Sequence, residues 1–392
     1  MKILVFSHAY VQNNYRTKWS AVRDAIQDGE VLVVTPTYWK DPHFGKLYSA
    51  QSSSNRLRFV TLRVWGNGWV GRYIYSPIAL LRLVKREQPD VIHIENEPWQ
   101  LVYLQLLITR WFVSRLSKVV CFSWWNTHEW KTPLRFPGQI LCKLGLRGCD
   151  LLIVGNTGGL KLYPQLGYSG KLTLIPQIGV NPAHYYPSAA DPELLKRYQL
   201  GGFFVVGFVG RLHFRKGVHT LLQALGELRG DSWRALIVGE GPEREALVQL
   251  SILLGLRDRI IFTGPVTGEQ MPDYLRLMDI LVLPSLQEQN EQFGRVLIEA
   301  MACGVIAIGS TSGEIPHVIG NPKLVFPIGD AVAMAQVITR IMSDKEFADF
   351  CRQKGLDRLR ENYSEQAIAL KLSSAYSSLN ERSQGVERSE LS

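Results

Sequence analysis

The chain has 392 residues, of which 46% are hydrophobic and 20% are charged. This length predicts two or three domains, and the aromatic and aliphatic content excludes a mainly disordered chain because it suffices for large cores. The formal net charge is +9, and the excess lies in residues 1–190, where 22 basic residues stand against 10 acidic ones. Such a basic half is compatible with an anionic lipid surface, nucleic acid or an acidic substrate.

The cysteines are few and scattered, and no two of them form a C-x-x-C pair. They are Cys121, Cys142, Cys149, Cys303 and Cys351. This usage predicts buried free thiols in a reducing cytosol rather than a disulfide framework or a zinc site. The first residues form a strand-like run without the pattern of a signal peptide. The most apolar long stretch, 101–113, is too short to span a bilayer, so we expect a cytoplasmic protein.

Short apolar runs alternate with amphipathic stretches through the first half of the chain. The predicted strands are 3–7, 31–35, 59–64, 91–95, 119–124, 151–154 and 172–176. Several are almost continuous Val, Ile and Leu, which is typical of parallel strands covered on both faces. The stretches 76–87, 99–116 and 137–146 predict crossover helices. This βαβ pattern predicts a doubly wound parallel sheet.

Residues 181–202 contain three prolines and a Gly-Gly pair, which predict an interdomain linker. The alternation then restarts, with predicted strands at 204–212, 235–239, 260–263, 280–284, 305–310 and 324–327. Three helical stretches follow Asp330. The predicted organisation is an N-terminal domain at 1–182, a linker at 183–202, a C-terminal domain at 203–362, a helix at 363–380 that could cross back to the first domain, and a flexible tail at 381–392.

The segment from Glu291 to Gly304 reads EQFGRVLIEAMACG and follows a predicted strand that ends in LPS. Phe293 and Gly294 would open a helix, whose first amides favour an anion, and a glycine there lets a phosphate or sugar approach the backbone. Glu299 lies within an apolar stretch, where a carboxylate requires a partner. The alternative interpretation is an amphipathic helix with two exposed glutamates.

A second motif, GFVGRLHFRKG, occupies residues 207–217. A predicted strand ends at its middle glycine, so Arg211 and Lys216 lie at the carboxyl end of a strand, where open α/β sheets bind ligands. An arginine fork with a lysine point charge suits a diphosphate. A third motif, Gly239-Glu-Gly241-Pro, ends the next strand. The chain contains neither G-x-G-x-x-G nor G-x-x-x-x-G-K-[ST], so NAD and P-loop nucleotide sites are unsupported.

In this order, the three motifs resemble those of the retaining glycosyltransferases of family 4. The matching segments are G-R-L-x(3)-R-K-G at 210–217, G-E-G-P at 239–242 and E-x(7)-E from Glu291 to Glu299. The resemblance implies the α/β GT-B fold, with two Rossmann-like doubly wound domains facing a central cleft. It also implies transfer of a sugar from a nucleotide-diphosphate sugar to a glycan or lipid-linked acceptor in cell-surface polysaccharide synthesis, with no metal or other cofactor.

The resemblance further implies roles for individual residues. Arg211 and Lys216 would hold the donor diphosphate, while Glu299 would bind the ribose hydroxyls. Glu291 would contact the donor sugar, and His128, in a loop resembling the family's T-H-D loop, would face that sugar and the acceptor. The predicted catalytic residues are His128, Glu291, Arg211 and Lys216. The predicted donor-binding residues are Arg211, Lys216, Gly239, Gly241, Phe293, Gly294, Arg295 and Glu299.

Two other classes of function stay open at this point. One is a same-fold enzyme, such as a sugar-nucleotide epimerase or a phosphorylase, and the other is a non-catalytic basic module that binds a membrane. Trp65, Trp69, Trp111 and Phe112 occur close to arginines, a composition that suits a membrane interface and equally suits packing on the sheet. No nucleic-acid motif is present, so the expected partners are donor, acceptor and peripheral contact with the inner face of an anionic membrane.

Overall fold

The computed structural model describes residues 1–12, 15–41, 45–126, 138–287 and 291–379, and the chain divides into two α/β units. The first unit comprises Met1–Gly179 together with the segment that begins at Glu365. The second unit is the continuous stretch Val180–Ser364. Each unit is built around its own mainly parallel sheet, which agrees with the predicted class of two Rossmann-like domains.

The strands of the first unit, among the residues described, are β1 (Lys2–Phe6), β2 (Glu30–Pro36), β3 (Tyr38–Asp41), β4 (Gly45–Tyr48), β5 (Ser52–Ser54), β6 (Leu57–Leu62), β7 (Val64–Trp65), β8 (Ile74–Tyr75), β9 (Val91–Ile94), β10 (Lys118–Ser123), β11 (Leu151–Val154) and β12 (Lys171–Leu174). Its first five helices are α1 (Lys18–Ala25), α2 (Pro77–Glu87), α3 (Leu101–Val113), α4 (Gly138–Arg147) and α5 (Thr157–Gln165). The main sheet has the order β12-β11-β10-β9-β1-β2-β6-β5 and is parallel except for β5.

The strands of the second unit are β13 (Phe204–Val209), β14 (Trp233–Val238), β15 (Ile260–Gly264), β16 (Ile280–Leu283), β17 (Ile306–Ser310) and β18 (Val325–Phe326). Its helices are α6 (Pro192–Arg197), α7 (Val218–Gly226), α8 (Arg244–Leu253), α9 (Met271–Leu275), α10 (Arg295–Ala302), α11 (Ile315–Ile319), α12 (Ala331–Ser343) and α13 (Lys345–Asn362). The final helix, α14 (Glu365–Ser377), belongs to the first unit.

Alternation along the strands gives the first sheet two buried faces. On β1, Leu4 and Phe6 point to the face covered by α2, α3 and α4, whereas Ile3 and Val5 point to the face covered by α1 and α14. Successive side chains of a strand lie on opposite faces, so a strand covered on both sides must be apolar at every position. This explains why the predicted strands of this unit are continuous apolar runs.

The second sheet is parallel throughout, in the order β15-β14-β13-β16-β17-β18. The chain adds strands outward on one side of β13 and then returns to its other side with β16. The order of strands therefore reverses between β13 and β16. In open α/β sheets, the crevice outside the carboxyl ends of the strands at such a reversal is where ligands bind.

Residues 183–202, predicted as a linker, lie within the second unit and include α6. Asp191 caps this helix by accepting hydrogen bonds from the amides of Glu193 and Leu194. Proline at the first position of a helix is favourable, so Pro192 begins a helix here instead of marking a linker. The hairpins β3–β4 and β7–β8 also escaped prediction, because their strands have two to four residues and no continuous apolar run.

In the described part of the chain, no helix is both long enough and apolar enough to cross a bilayer. The five cysteines are all buried and free.

A buried ion pair joins α1 to the end of β9 in the first unit. Lys18 Nζ lies 2.8 Å from Glu95 Oε1, and both side chains are at most 5% exposed. Glu95 also accepts hydrogen bonds from Tyr10 Oη at 2.7 Å and Gln177 Nε2 at 2.9 Å, while Lys18 donates to the Gln177 carbonyl at 2.7 Å. These bonds satisfy two charges that are costly to bury separately.

His93 connects β9 to α14. Its Nδ1 lies 2.5 Å from Tyr376 Oη, and the imidazole is 1% exposed. Burial lowers the pKa of His93 to about 4, so the ring is neutral at neutral pH. The contacts of His93 are those of a structural residue.

Substitution of Lys18 tests the cost of leaving Glu95 buried without its cation. Lys18→Ala should lower the free energy of unfolding by about 3–5 kcal/mol, the usual penalty for breaking one side of a buried pair. Arg23→Ala, on the same helix, removes an arginine whose partner Asp24 is exposed, and it should cost no more than about 1 kcal/mol. Urea unfolding followed by tryptophan fluorescence measures both values, and equal losses would contradict a special role for the buried pair.

Candidate active site

The candidate site lies at the carboxyl ends of β13 and β16, at the strand reversal of the second sheet. These two strands pair in parallel, with Val206 opposite Ile280, so the loops that leave them begin side by side. The first loop is 210–217 and the second, of which 288–290 lie outside the described residues, leads to α10. Both motifs found in the sequence are therefore neighbours in the fold.

Backbone packing fixes the first loop against the second. The Leu286 amide donates to the Arg215 carbonyl at 2.9 Å. Gly217 has a φ of +70°, and a β-carbon there would lie 2.0 Å from the Pro284 carbonyl oxygen. Only glycine fits this approach, because every other residue would clash with the strand end. The packing holds the adjacent Lys216 beside the end of β16.

Lys216 and Glu291 form an ion pair across this junction. Lys216 Nζ lies 2.5 Å from Glu291 Oε2, and the same oxygen accepts a hydrogen bond from Ser285 Oγ at 2.9 Å. The Lys216 side chain is 33% exposed and that of Glu291 is 14% exposed. A cation and a carboxylate predicted to bind one donor thus contact each other directly, with the cation still open to solvent.

The loop after β17 holds the main chain of Glu291. The Glu314 amide donates to the Glu291 carbonyl at 2.9 Å. Gly313 has a φ of +51°, and a β-carbon there would lie 2.2 Å from the Glu291 carbonyl oxygen. The carboxylate is therefore presented from a backbone that is fixed at both its carbonyl and its side chain.

Helix α10 begins immediately after this loop. Its N-cap is Gly294, with a φ of +72°, and no side chain caps the helix. The Phe293 side chain is buried and its ring lies 5.7 Å from that of Tyr363, so Phe293 offers a ligand its backbone only. An uncapped helix start next to a lysine favours an anionic group.

A second charged pair spans the first turn of α10, from Arg295 to Glu299. Arg295 Nε is 2.7 Å from Glu299 Oε1, and Glu299 also shares a hydrogen bond with the buried Tyr185. Burial raises the pKa of Glu299, although Arg295 and the Tyr185 hydrogen bond favour its ionised form. At a rise of ~1.5 Å per residue, Glu299 lies ~6 Å along the axis from Arg295.

The glycines of the third motif serve the packing of two loops. A β-carbon at Gly239 would lie 1.9 Å from the Gly210 carbonyl oxygen, and one at Gly241 would lie 2.2 Å from the Leu212 carbonyl oxygen. The Leu212 amide donates to the Glu240 carbonyl at 2.9 Å. These contacts explain why glycine occupies positions 239 and 241, and the explanation does not require a ligand.

The structure brings Lys216, Glu291 and the start of α10 together, and it places Arg295 at that start and Glu299 one turn further along the same helix. Arg211 is exposed on the loop after β13 and forms no ion pair with any residue the structure describes. His128 lies outside the described residues, so its predicted role stays a prediction. No group of three or more His, Cys, Asp or Glu side chains in the described ranges is arranged to hold a metal ion.

Sequence reasoning missed three polar residues. Ser285 was part of a recognised strand end but received no role, and Tyr185 lay in the stretch predicted as a linker. Glu97 follows β9 and accepts hydrogen bonds from Ser123 Oγ, from the Trp124 amide at 3.0 Å and from Tyr163 Oη at 3.2 Å. Burial raises the pKa of Glu97 to about 7. The signal was available, since acids that follow a buried strand lie at the ligand-binding edge of the sheet.

Comparison with known protein sequences shows to which family the chain belongs. A sequence model described as "Glycosyl transferases group 1" matches residues 193–358. The GDP-mannose-dependent alpha-(1-6)-phosphatidylinositol monomannoside mannosyltransferase of Mycobacterium tuberculosis is 31% identical over 279 residues, which are 69% of this chain and 72% of that protein. The 2-deoxystreptamine glucosyltransferase of Streptomyces kanamyceticus is 30% identical over 191 residues, and the chain covers only 48% of its length.

Solved structures agree on the fold of the whole chain. Sucrose-phosphate synthase from Thermosynechococcus elongatus has a TM-score of 0.69 and 23% identity, and the match covers 97% of this chain and 99% of that one. Anabaena HepE in complex with UDP also has a TM-score of 0.69, with 19% identity over 96% of this chain and 100% of that one. The chain therefore belongs to the group 1 glycosyltransferases and has the GT-B fold.

Proposed function

We propose that the protein is a retaining glycosyltransferase that moves a sugar from a nucleotide-diphosphate sugar to a glycan or lipid-linked acceptor. The observation that carries the proposal is the group formed by Lys216, Glu291 and the uncapped start of α10 at the strand reversal of the second sheet. Cationic and amide donors beside a carboxylate suit a ligand with both a diphosphate and a sugar.

The charges of this group suit the departure of a nucleoside diphosphate. As the bond between sugar and phosphate lengthens, negative charge grows on the diphosphate oxygens. Lys216 and the amides of the helix start stabilise that charge, and exposed Arg211 can turn toward it. Before the donor binds, Glu291 neutralises Lys216 at 2.5 Å. When the donor binds, the phosphate becomes a second anionic partner for Lys216, which leaves Glu291 oxygens available to sugar hydroxyls.

Glu299 would serve the nucleoside rather than the reacting bond. It is a carboxylate held by Arg295 at 2.7 Å and by Tyr185, so its orientation is fixed before a ligand arrives. Hydroxyl groups on neighbouring carbons of a ribose can both donate to one carboxylate. The ~6 Å along α10 that separates this carboxylate from the start of the helix leaves room for the phosphates between them.

The names of the relatives support the donor class and leave the acceptor open. The Mycobacterium tuberculosis relative is named for GDP-mannose and a phosphatidylinositol mannoside, and the Streptomyces kanamyceticus relative for 2-deoxystreptamine. We propose a role in polysaccharide or glycolipid synthesis in the cytoplasm, where five buried free thiols are compatible with a reducing compartment. We also propose that transfer needs no metal and that His128 faces the donor sugar.

The first test removes the cation of the ion pair. Lys216→Ala should lower kcat roughly 100- to 1000-fold, because a fixed donor to the leaving diphosphate is lost. The melting temperature should hardly change, since a partly exposed pair contributes about 1 kcal/mol or less. Arg215→Ala, which removes the neighbouring exposed cation of the same turn, is the matched control and should retain activity. Full turnover by the Lys216 variant would reject the assignment.

The second test separates a ribose contact from a structural role of Glu299. A thermal-shift panel of UDP, GDP and ADP first identifies the nucleotide, because a ligand that binds the folded protein raises its melting temperature. Glu299→Ala should then weaken the binding of that nucleotide about 10- to 100-fold, which is the loss of affinity expected when a hydrogen bond to a charged group is removed. Its dideoxy analogue, which lacks both ribose hydroxyls, should bind wild type and variant equally. If the variant weakens both compounds by the same factor, Glu299 does not bind ribose.

The third test concerns stereochemistry and separates transfer from epimerisation. Proton NMR of the product formed from an α-linked donor should show an α-linkage, because a retaining enzyme delivers the acceptor to the face the diphosphate leaves. A β-linked product would overturn the retaining mechanism while leaving the transferase assignment intact. Incubation of the donor alone should return it unchanged apart from slow hydrolysis, and an epimerised sugar would support the same-fold alternative.

A further inference from the structure

Helix α3 of the first unit exposes apolar side chains to solvent. Five large residues of α3 and the turn after it are between 44% and 96% exposed: Leu101, Ile108, Trp111, Phe112 and Leu116. The opposite side of the helix is also apolar, since Val102, Tyr103 and Leu106 are buried against the sheet. A surface helix of a water-soluble protein normally turns a polar face outward. The composition of α3 therefore suits an apolar environment on both sides of the helix.

The exposed apolar residues form one stripe rather than scattered points. At about 100° per residue, Leu101, Ile108, Trp111 and Phe112 fall within an arc of about 100°. The Trp111 and Phe112 rings contact each other edge to face, with centroids 4.8 Å apart. The same outer surface continues on α4, where Ile140 and Leu144 are exposed.

Helices α3 and α4 lie directly beside each other on one face of the sheet. Tyr103 Oη of α3 donates to the Gly145 carbonyl of α4 at 3.3 Å. Gly148, just after α4, lies so close to Leu107 that a β-carbon there would be 2.8 Å from the leucine methyl. The exposed residues of the two helices therefore belong to one continuous surface, which we call the α3–α4 surface.

The exposed charges of α2, α3, α4 and the turn after α3 have a single sign. The exposed charged side chains of α2, α3 and α4 and of the turn after α3 are all cationic: Arg82, Lys85, Arg86, Arg115, Lys143 and Arg147. Glu87 is the one acidic residue of these three fully described helices, and its carboxylate is 5% exposed and paired with Lys2, Arg58 and Arg86. Among the residues described, these helices therefore expose only positive charge to a partner.

A cavity opens next to the cations of α4. It has a volume of about 350 Å³, and Lys143, Arg147, Ser169 and Gly170 contribute to its walls. None of the residues that line it is acidic. A phosphate group fits the chemistry of these walls, with two cations and a serine hydroxyl as donors.

We propose that the α3–α4 surface binds the headgroup layer of an anionic lipid membrane. Exposed Trp, Phe and aliphatic side chains enter the boundary between headgroups and acyl chains, while the cations meet lipid phosphates. A second copy of this chain is a poor occupant, because it would oppose like charges across the contact. Nucleic acid is also a poor one, because Leu101, Ile108 and Leu144 cannot stack on bases as aromatic rings do.

The experiment is co-sedimentation of the full-length protein with vesicles of equimolar phosphatidylcholine and phosphatidylglycerol, and with vesicles of phosphatidylcholine alone. The protein should bind the anionic vesicles and not the neutral ones. The double substitution Trp111→Ser with Phe112→Ser should weaken this binding at least about tenfold. The double substitution Arg115→Glu with Lys143→Glu should do the same by removing charge attraction, and added salt should weaken wild-type binding.

The matched control is Leu253→Ser with Phe350→Ser, which removes two exposed apolar residues from the second unit and should leave vesicle binding unchanged. Thermal unfolding with nucleotide verifies that each variant is folded and that its donor site is intact, so a failure of the proposed reaction is distinguishable from a failure of the lipid contact. Absence of binding to anionic vesicles, or equal binding by wild type and the Trp111 variant, would overturn the proposal. So would a dimer that this variant converts to monomer without any lipid binding.

Discussion

The ion pair between Lys216 and Glu291 depends on a constraint of topology, namely that β13 and β16 are neighbours although three helices and two strands separate them in sequence. Their carboxyl ends meet at the strand reversal, and two close backbone approaches then set the loops. Gly217 lies against the Pro284 carbonyl and Gly313 against the Glu291 carbonyl. A β-carbon at either glycine would push one member of the pair away. Backbone packing thus determines where the charged side chains meet.

Much of the fold could be predicted because parallel strands buried on both faces leave a plain signal in the sequence. The runs that became β1, β2, β9 and β13 are almost wholly Val, Ile, Leu and Phe. Short strands that pair at the edge carry no such signal, so β3, β4, β7 and β8 were missed. The prolines of 183–202 suggested a linker, but Asp191 and Pro192 instead begin a capped helix.

The candidate site was predictable in its parts and not in its contacts. The carboxylate of Glu299 within an apolar run implied a partner, and Arg295 four residues earlier is the neighbour that helix geometry provides. Tyr185, its other partner, is more than a hundred residues away and no local pattern relates the two. The same limit applies to Lys216 and Glu291, whose contact follows from strand order. Tertiary packing also decided that Trp111 and Phe112 are exposed, whereas Tyr73 and Tyr75 are buried.

The return of α14 to the first unit affects how the protein is made. Ile368, Leu372 and Tyr376 complete the hydrophobic core on one face of the first sheet, yet they leave the ribosome only after the whole second unit. The second unit is continuous from Val180 to Ser364, so all of its residues are synthesised before α14 emerges. During translation the first unit must wait with Ile3, Val5 and Val33 incompletely covered while the second unit can already fold. One face of the first sheet in the nascent chain therefore stays incompletely covered for the time needed to synthesise nearly two hundred residues.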